Sequence, residues 1–187
     1  MTLLILGLVL WTAAHLFKRA APDARAGVTA RLGAGPSRGV MALLILAGLI
    51  LIIVGYRGAP FVPVYDPPAW GVHLNNLAMF LAVALMGAGQ SKGHARSWLR
   101  HPMLTGVLVW AFAHLVVNGD EASLILFGWM AAWALASMAV INAREPVWVR
   151  PAPGPWSGDV RLLAIAAVLY ALIATVHTWL GYWPFPQ

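Results

Sequence analysis

The chain has 187 residues, of which 61% are apolar or aromatic and only 10% are charged, where an average soluble domain carries about 25% charged residues. That composition excludes a water-soluble fold and a disordered or collagen-like chain, and the length allows one domain. Cysteine is absent, which removes disulfides, thiolate metal sites, iron–sulfur clusters and cysteine nucleophiles together. Twelve Lys and Arg against six Asp and Glu give a net charge of +6. These charges fall between long apolar runs, so they read as membrane orientation and not as a nucleic-acid surface.

A hydrocarbon core about 30 Å thick takes roughly 20 apolar residues as a helix. Six runs near that length are present: Thr2–Phe17, Gly39–Tyr56, Trp70–Gly89, Met103–Val117, Ala122–Ala143 and Val160–Trp183. The sequence therefore predicts an all-α, polytopic membrane bundle of six transmembrane helices. The first run has no positive segment before it and is followed by Lys18 and Arg19, so it reads as a retained span and not as a cleaved signal. The fourth run is the shortest and is polar at its far end.

The loops sort by charge. Lys18, Arg19, Arg25, Arg31 and Arg38 follow the first span, Lys92, Arg96 and Arg100 the third, and Arg144, Arg150 and Arg161 surround the connection from the fifth to the sixth. Only Arg57 falls on the other side. Eleven of twelve basic residues on alternate loops place those loops in the cytoplasm and both termini outside, in the periplasm of a bacterial inner membrane. An odd number of spans would break the alternation. Tyr56, Tyr65, Trp70, Tyr182 and Trp183 fall at the outer face and Trp98, Trp148 and Trp156 at the inner one, as interface anchors do.

The outer loop Gly58–Ala69 carries Pro60, Pro63, Pro67 and Pro68, which favours an extended excursion able to cap the outer face. Gly128, Ala132 and Ala136 recur at four-residue spacing in the fifth span, a small-residue stripe expected to let helix backbones approach closely. No internal repeat or pair of broken helices suggests a transporter.

Polar side chains within spans face a bundle interior or a cavity and are the default functional candidates. Six histidines are present. His94, among Ser91, Lys92 and Arg96, reads as a solvated loop residue. His15 lies late in the first span, His73 near the outer start of the third beside Asn75 and Asn76, His114 in the fourth near Asn118, Asp120 and Glu121, and His177 deep in the sixth. Arg100-His101-Pro102 opens the fourth span and sets a cation and an imidazole over a helix N-terminus, suited to a phosphate, carboxylate or propionate. Taken singly, each histidine reads as a hydrogen-bonded structural residue. Several in one cysteine-free bundle suit haem b, whose iron takes imidazole as an axial ligand. No HExxH-type spacing points to catalytic zinc. Asp120 and Glu121 are adjacent and point to different faces, so they form no acid–base pair, and a helix-capping role is the plain alternative.

The segment Arg100-His101-Pro102-Met103-Leu104, followed by Trp110-Ala111-Phe112-Ala113-His114-Leu115 and Asn118-Gly119-Asp120, resembles the NnrU family of bacterial membrane proteins. The likeness extends to His15, Asp66-Pro67-Pro68-Ala69-Trp70, Leu126-Phe127-Gly128 and Gly158-Asp159, so that residues 1–187 read as a single domain of this type. The family name is associated with nitrite and nitric oxide metabolism. The domain is also similar to the plant 15-cis-ζ-carotene isomerase, a haem b membrane enzyme. What the resemblance implies is a haem b protein with His15 and His114 as axial ligands. It would isomerise or reduce an apolar, polyene-like substrate drawn from the lipid bilayer, and it would work with a redox partner. Arg100 and His101 would hold propionates, and Asn118 and Asp120 would orient His114. A non-catalytic accessory role in nitrite or nitric oxide respiration is the alternative.

Depth counting strains the implied pair. His15 lies roughly 20 Å down the first span, while His114 lies about 6 Å below the Asn118–Glu121 turn. If that turn is not submerged, His114 pairs instead with His177 or His73.

Overall fold

The computed structural model describes residues 1–186, and among them regular structure is helical throughout apart from one isolated bridge between Pro63 and Asp120. Seven α-helices follow in order: α1 (Thr2–Ala20), α2 (Pro22–Leu32), α3 (Ala34–Arg57), α4 (Gly71–Ala88), α5 (Pro102–Val117), α6 (Glu121–Arg144) and α7 (Trp156–Trp179), with a single 3₁₀ turn at Ala95–Ser97. Each of the six apolar runs is one helix. Five of them, α1, α3, α4, α6 and α7, are long and apolar enough to cross a membrane. Helix α5 has 16 residues, about 24 Å at 1.5 Å per residue, and falls short of that length. The protein is thus a multi-pass helical membrane protein.

Helix α2 is an element that hydropathy does not announce. Its sequence, PDARAGVTARL, has no buried residue, yet Pro22 at its first position, Asp23 in its first turn and Arg31 in its last all favour a short helix.

The chain divides into two compact units. The first takes Met1–Val64 and Asp120–Pro146, and so holds α1, α2, α3 and α6. Here α1 lies against α3 at a spacing only glycine permits. A Cβ on Gly7 would sit 2.6 Å from the Ile52 nitrogen, and one on Gly55 would collide with the backbone of Leu4. Leu4 and Leu8 are fully buried beneath this seam. Helix α6 joins through Tyr56 Oη to Ser123 Oγ at 2.8 Å and through Trp129 Nε1 donating to Thr12 Oγ1 at 2.9 Å. The close approach is therefore made by Gly7, Gly48 and Gly55, and not by the expected stripe in α6. Gly128 has nothing within 4 Å of where a Cβ would lie, and Ala132 and Ala136 are exposed. Periodicity identifies a small-residue face but not the helix that uses one.

The second unit takes Tyr65–Gly119 and the chain from Val147 onward, with α4, α5 and α7. Gly106 of α5 sits where a Cβ would approach the Ala82 carbonyl oxygen of α4 to 2.8 Å, so these two helices also pack backbone to backbone. Helix α7 leans on α4, with Tyr170 edge-on to Phe80 at 6.2 Å, and leaves most of its apolar surface uncovered, as a lipid-facing helix does.

The proline-rich loop is extended and hydrogen-bonded. Within the first unit Glu121 N donates to Val62 O at 2.9 Å, and within the second Tyr65 N donates to Gly119 O at 3.1 Å while Tyr65 Oη reaches Asn118 O at 2.9 Å.

Candidate functional site

Three of the span histidines share one local device. The Nδ1 of His15 lies 2.8 Å from the Trp11 carbonyl, that of His114 2.9 Å from the Trp110 carbonyl and that of His177 2.8 Å from the Ile173 carbonyl, each four residues back along its own helix. A carbonyl oxygen can only accept, so the proton must sit on Nδ1. The neutral ring then carries its lone pair on Nε2. This is the tautomer and anchoring that metal-bound imidazoles require, with the second nitrogen fixed by a hydrogen bond.

In the second unit His114 from α5 and His177 from α7 line the same cavity, together with Asn75, Asn76 and Met79 from α4 and Tyr170 from α7. Helix packing explains the meeting: α4 lies between its two neighbours, and Ala111, Ala113 and Ala174 are buried small residues that let the imidazoles approach α4. The Oδ1 of Asn75 is buried there with no hydrogen-bond partner, a costly arrangement in an apolar interior. His73, one turn earlier on α4, is exposed and lies outside this lining.

Each remaining expected residue is placed within its own unit. His15 belongs to the first unit, where its ring stands 4.2 Å from Trp11 and edge-on to Trp133 at 5.2 Å. Arg100 and His101 line a second cavity with Met86, Gln90 and Met103, and His101 is the N-cap of α5, its carbonyl accepting from Thr105 N and Oγ1. Thirteen residues, about 20 Å of helical rise, separate His101 from His114, so the two cavities occupy opposite ends of the α4–α5 pair.

Asn118 and Asp120 each close a helix end. Asn118 Nδ2 donates to the His114 backbone carbonyl at 2.8 Å, closing the end of α5. Asp120 is the N-cap of α6, its carboxylate accepting from Ser123 N at 3.0 Å and from the Ser123 hydroxyl. The Trp110 carbonyl holds the His114 ring from within its own helix, while both oxygens of the capping carboxylate are committed at Ser123.

His94, expected as a solvated loop residue, is half-buried. Its ring stacks on Trp156 at 4.1 Å, and Asp159 accepts from His94 N, Ala95 N and His94 Nδ1 at 2.9, 2.9 and 3.1 Å. Gly93 and Gly158 make this possible, since a Cβ on Gly93 would run into the Asp159 carboxylate and one on Gly158 into the backbone of Gly93. Those glycines were the only local sign of it.

Among the described residues no three His, Cys, Asp or Glu side chains gather to hold a bare metal ion. A haem asks for less, one or two axial imidazoles in an apolar wall. The pair His114 and His177, with their proton positions fixed and Met79, Ile173 and Ala174 around them, has the donor chemistry such a group needs. Compared with known protein families, residues 3–184 match the family described as NnrU protein. No curated protein matches the chain, and no solved structure does.

Proposed function

The chain belongs to the NnrU family, and from that premise we propose that it is a haem b-binding membrane protein whose site lies at the cavity of the second unit. The observation that carries this reading is the pair of histidines, His114 and His177, that line one cavity with Nδ1 hydrogens held by their own helices. Haem bound there would supply a redox-active iron able to exchange an axial ligand. The chain's own residues do the rest. The Trp110 and Ile173 carbonyls hold the two rings against rotation, Met79 and Ala174 keep water out, and the Asn75 carbonyl oxygen offers an acceptor to a donor group entering the cavity. Substrate is apolar and arrives through the bilayer, for which the uncovered surface of α7 and the absence of a charged lining argue. Isomerisation or reduction of a polyene-like molecule is the chemistry that fits such a site.

In this reading α5 completes six spans, its short length offset by the polar turn at its end lying below the membrane surface. Both termini are periplasmic in a bacterial inner membrane, in keeping with eleven of twelve basic residues on alternate connections.

The test is the absorption spectrum of detergent-purified full-length protein, oxidised and dithionite-reduced. A Soret band with split reduced bands is expected, lost in His114→Ala and His177→Ala and kept in His73→Ala. Loss in His15→Ala with retention in His177→Ala would transfer the second ligand to His15. A colourless protein after gentle extraction with haem supplied would end the haem reading.

A further inference from the structure

Buried polar atoms without partners are rare in native proteins, and each asks for an explanation. Four such atoms fall in the first unit: Nε1 of Trp11, Nε1 of Trp133, Oγ of Ser137 and Nε of Arg19. All lie on α1 or α6, and all are hydrogen donors. Trp11, His15 and Arg19 succeed one another turn by turn on α1, as Trp133 and Ser137 do on α6. The two helices meet through Trp11 and Trp133, whose ring centroids are 5.8 Å apart, and through His15 and Trp133. Ser137 is 5% exposed and Trp133 9%, so water cannot serve them.

A seam that presents tilted and edge-on aromatic rings and several donor hydrogens but few acceptors is complementary to a planar molecule bearing acceptor oxygens. Its depth selects among such molecules. Trp11 lies about 14 Å from the start of α1, near the middle of a hydrocarbon core, where a carboxylate or phosphate is expensive and a neutral carbonyl is not. The donors are also spread over more than one helical turn, about 5.4 Å, which matches a ligand with an oxygen at each end of a ring.

We propose that the α1–α6 seam around Trp11, His15, Trp133 and Ser137 is a binding site for a membrane-soluble para-quinone. Its ring lies against the indoles, one carbonyl accepts from the indole N–H groups, and the other accepts from Ser137 and the inner end of Arg19. The seam parts by side-chain rotation of the half-exposed Trp11 and His15 to admit the ring. The Nε2 lone pair of His15, fixed by the Trp11 carbonyl, accepts a hydrogen bond from a hydroxyl when the hydroquinone is bound. The proposal does not depend on haem at the cavity of the second unit.

The experiment uses the full chain in nanodiscs of phosphatidylethanolamine and phosphatidylglycerol with radiolabelled ubiquinone carrying a two-isoprene tail, read by equilibrium binding and by the infrared carbonyl stretch. Saturable binding is expected, with the carbonyl band shifted to lower frequency. Trp133→Phe and Ser137→Ala should each raise Kd at least tenfold, while Trp129→Phe, whose indole already donates to Thr12, leaves it unchanged. Should Trp133→Phe not fold, Ser137→Ala carries the comparison. Partition that never saturates, or an equal loss in Trp129→Phe, overturns the proposal. The Soret band recorded on the same samples separates the two readings, because quinone binding by a haem-free protein sustains this one and removes the other.

Discussion

Asp159 accepts from both the backbone N–H and the ring Nδ1–H of His94, at 2.9 and 3.1 Å, across 65 residues of sequence. This carboxylate fastens the connection between α4 and α5 to the first turn of α7, and Trp156 covers the outer face of the imidazole. Replacing Asp159 with Ala strands two backbone donors, those of His94 and Ala95. Replacing it with Asn keeps one acceptor oxygen. Limited proteolysis of the full chain in detergent should therefore cut between Ser91 and Arg100 fastest in Asp159→Ala, more slowly in Asp159→Asn and slowest in wild type. Equal cleavage in all three would show that the glycine packing alone holds the loop.

The glycines of α1 and α3 make a second expectation. Gly7→Leu inserts a side chain where the Ile52 backbone already stands, an overpacking that costs about 1–3 kcal/mol or more. Unfolding in mixed detergent should show that loss. Gly128→Ala is the matched control, since nothing lies within 4 Å of its added methyl and a helix gains about 0.5–1 kcal/mol when Gly becomes Ala. A destabilised Gly128→Ala would restore the small-residue stripe of α6 as a packing surface.

These two cases mark how far the sequence could be read. The six apolar runs are legible because a membrane helix must satisfy its backbone internally and bury a fixed length of apolar chain. All six are helices. Helix α2 is not legible by that logic, since Asp23, Arg25 and Arg31 give it the composition of a charged loop, and it is tied to α3 by Arg25 and Thr29 reaching Ser37. Which face of a helix meets its neighbour is decided by partners distant in sequence, so Gly128 was indistinguishable from Gly7. The same holds at the site. His114 and His177 could be named as polar residues in spans, but only the packing of α5 and α7 on α4 puts them on one cavity. The seam of unpartnered donors around Trp133 leaves no sequence signal, because a tryptophan in a membrane helix reads as an anchor or as core.

Asp120 carries a third expectation. As the N-cap of α6 it accepts from Ser123 N and Oγ, and loss of such a cap costs about 0.5–2 kcal/mol. Asp120→Asn, which keeps a capping oxygen, should be milder than Asp120→Ala in the same unfolding assay. Neither should change a Soret band, because both carboxylate oxygens are engaged at Ser123. A spectral change in Asp120→Asn without loss of stability would bring the carboxylate back to the haem.

The last expectation concerns Asn75. Its buried Oδ1 has no partner and lines the cavity with His114 and His177, so removing it relieves a desolvated polar atom in the empty protein. Asn75→Leu is close in size and should leave thermal stability unchanged or raised, where a hydrogen-bonded Asn would lose about 1–3 kcal/mol. If the carbonyl oxygen instead meets a donor on a ligand in the cavity, the same substitution weakens that ligand and shifts the reduced absorption bands. Measuring the melting temperature and the reduced spectrum on one preparation distinguishes these roles. A more stable protein with an altered spectrum identifies Asn75 as a residue kept for the ligand at a cost to the fold. A less stable protein with an unaltered spectrum identifies it as structural.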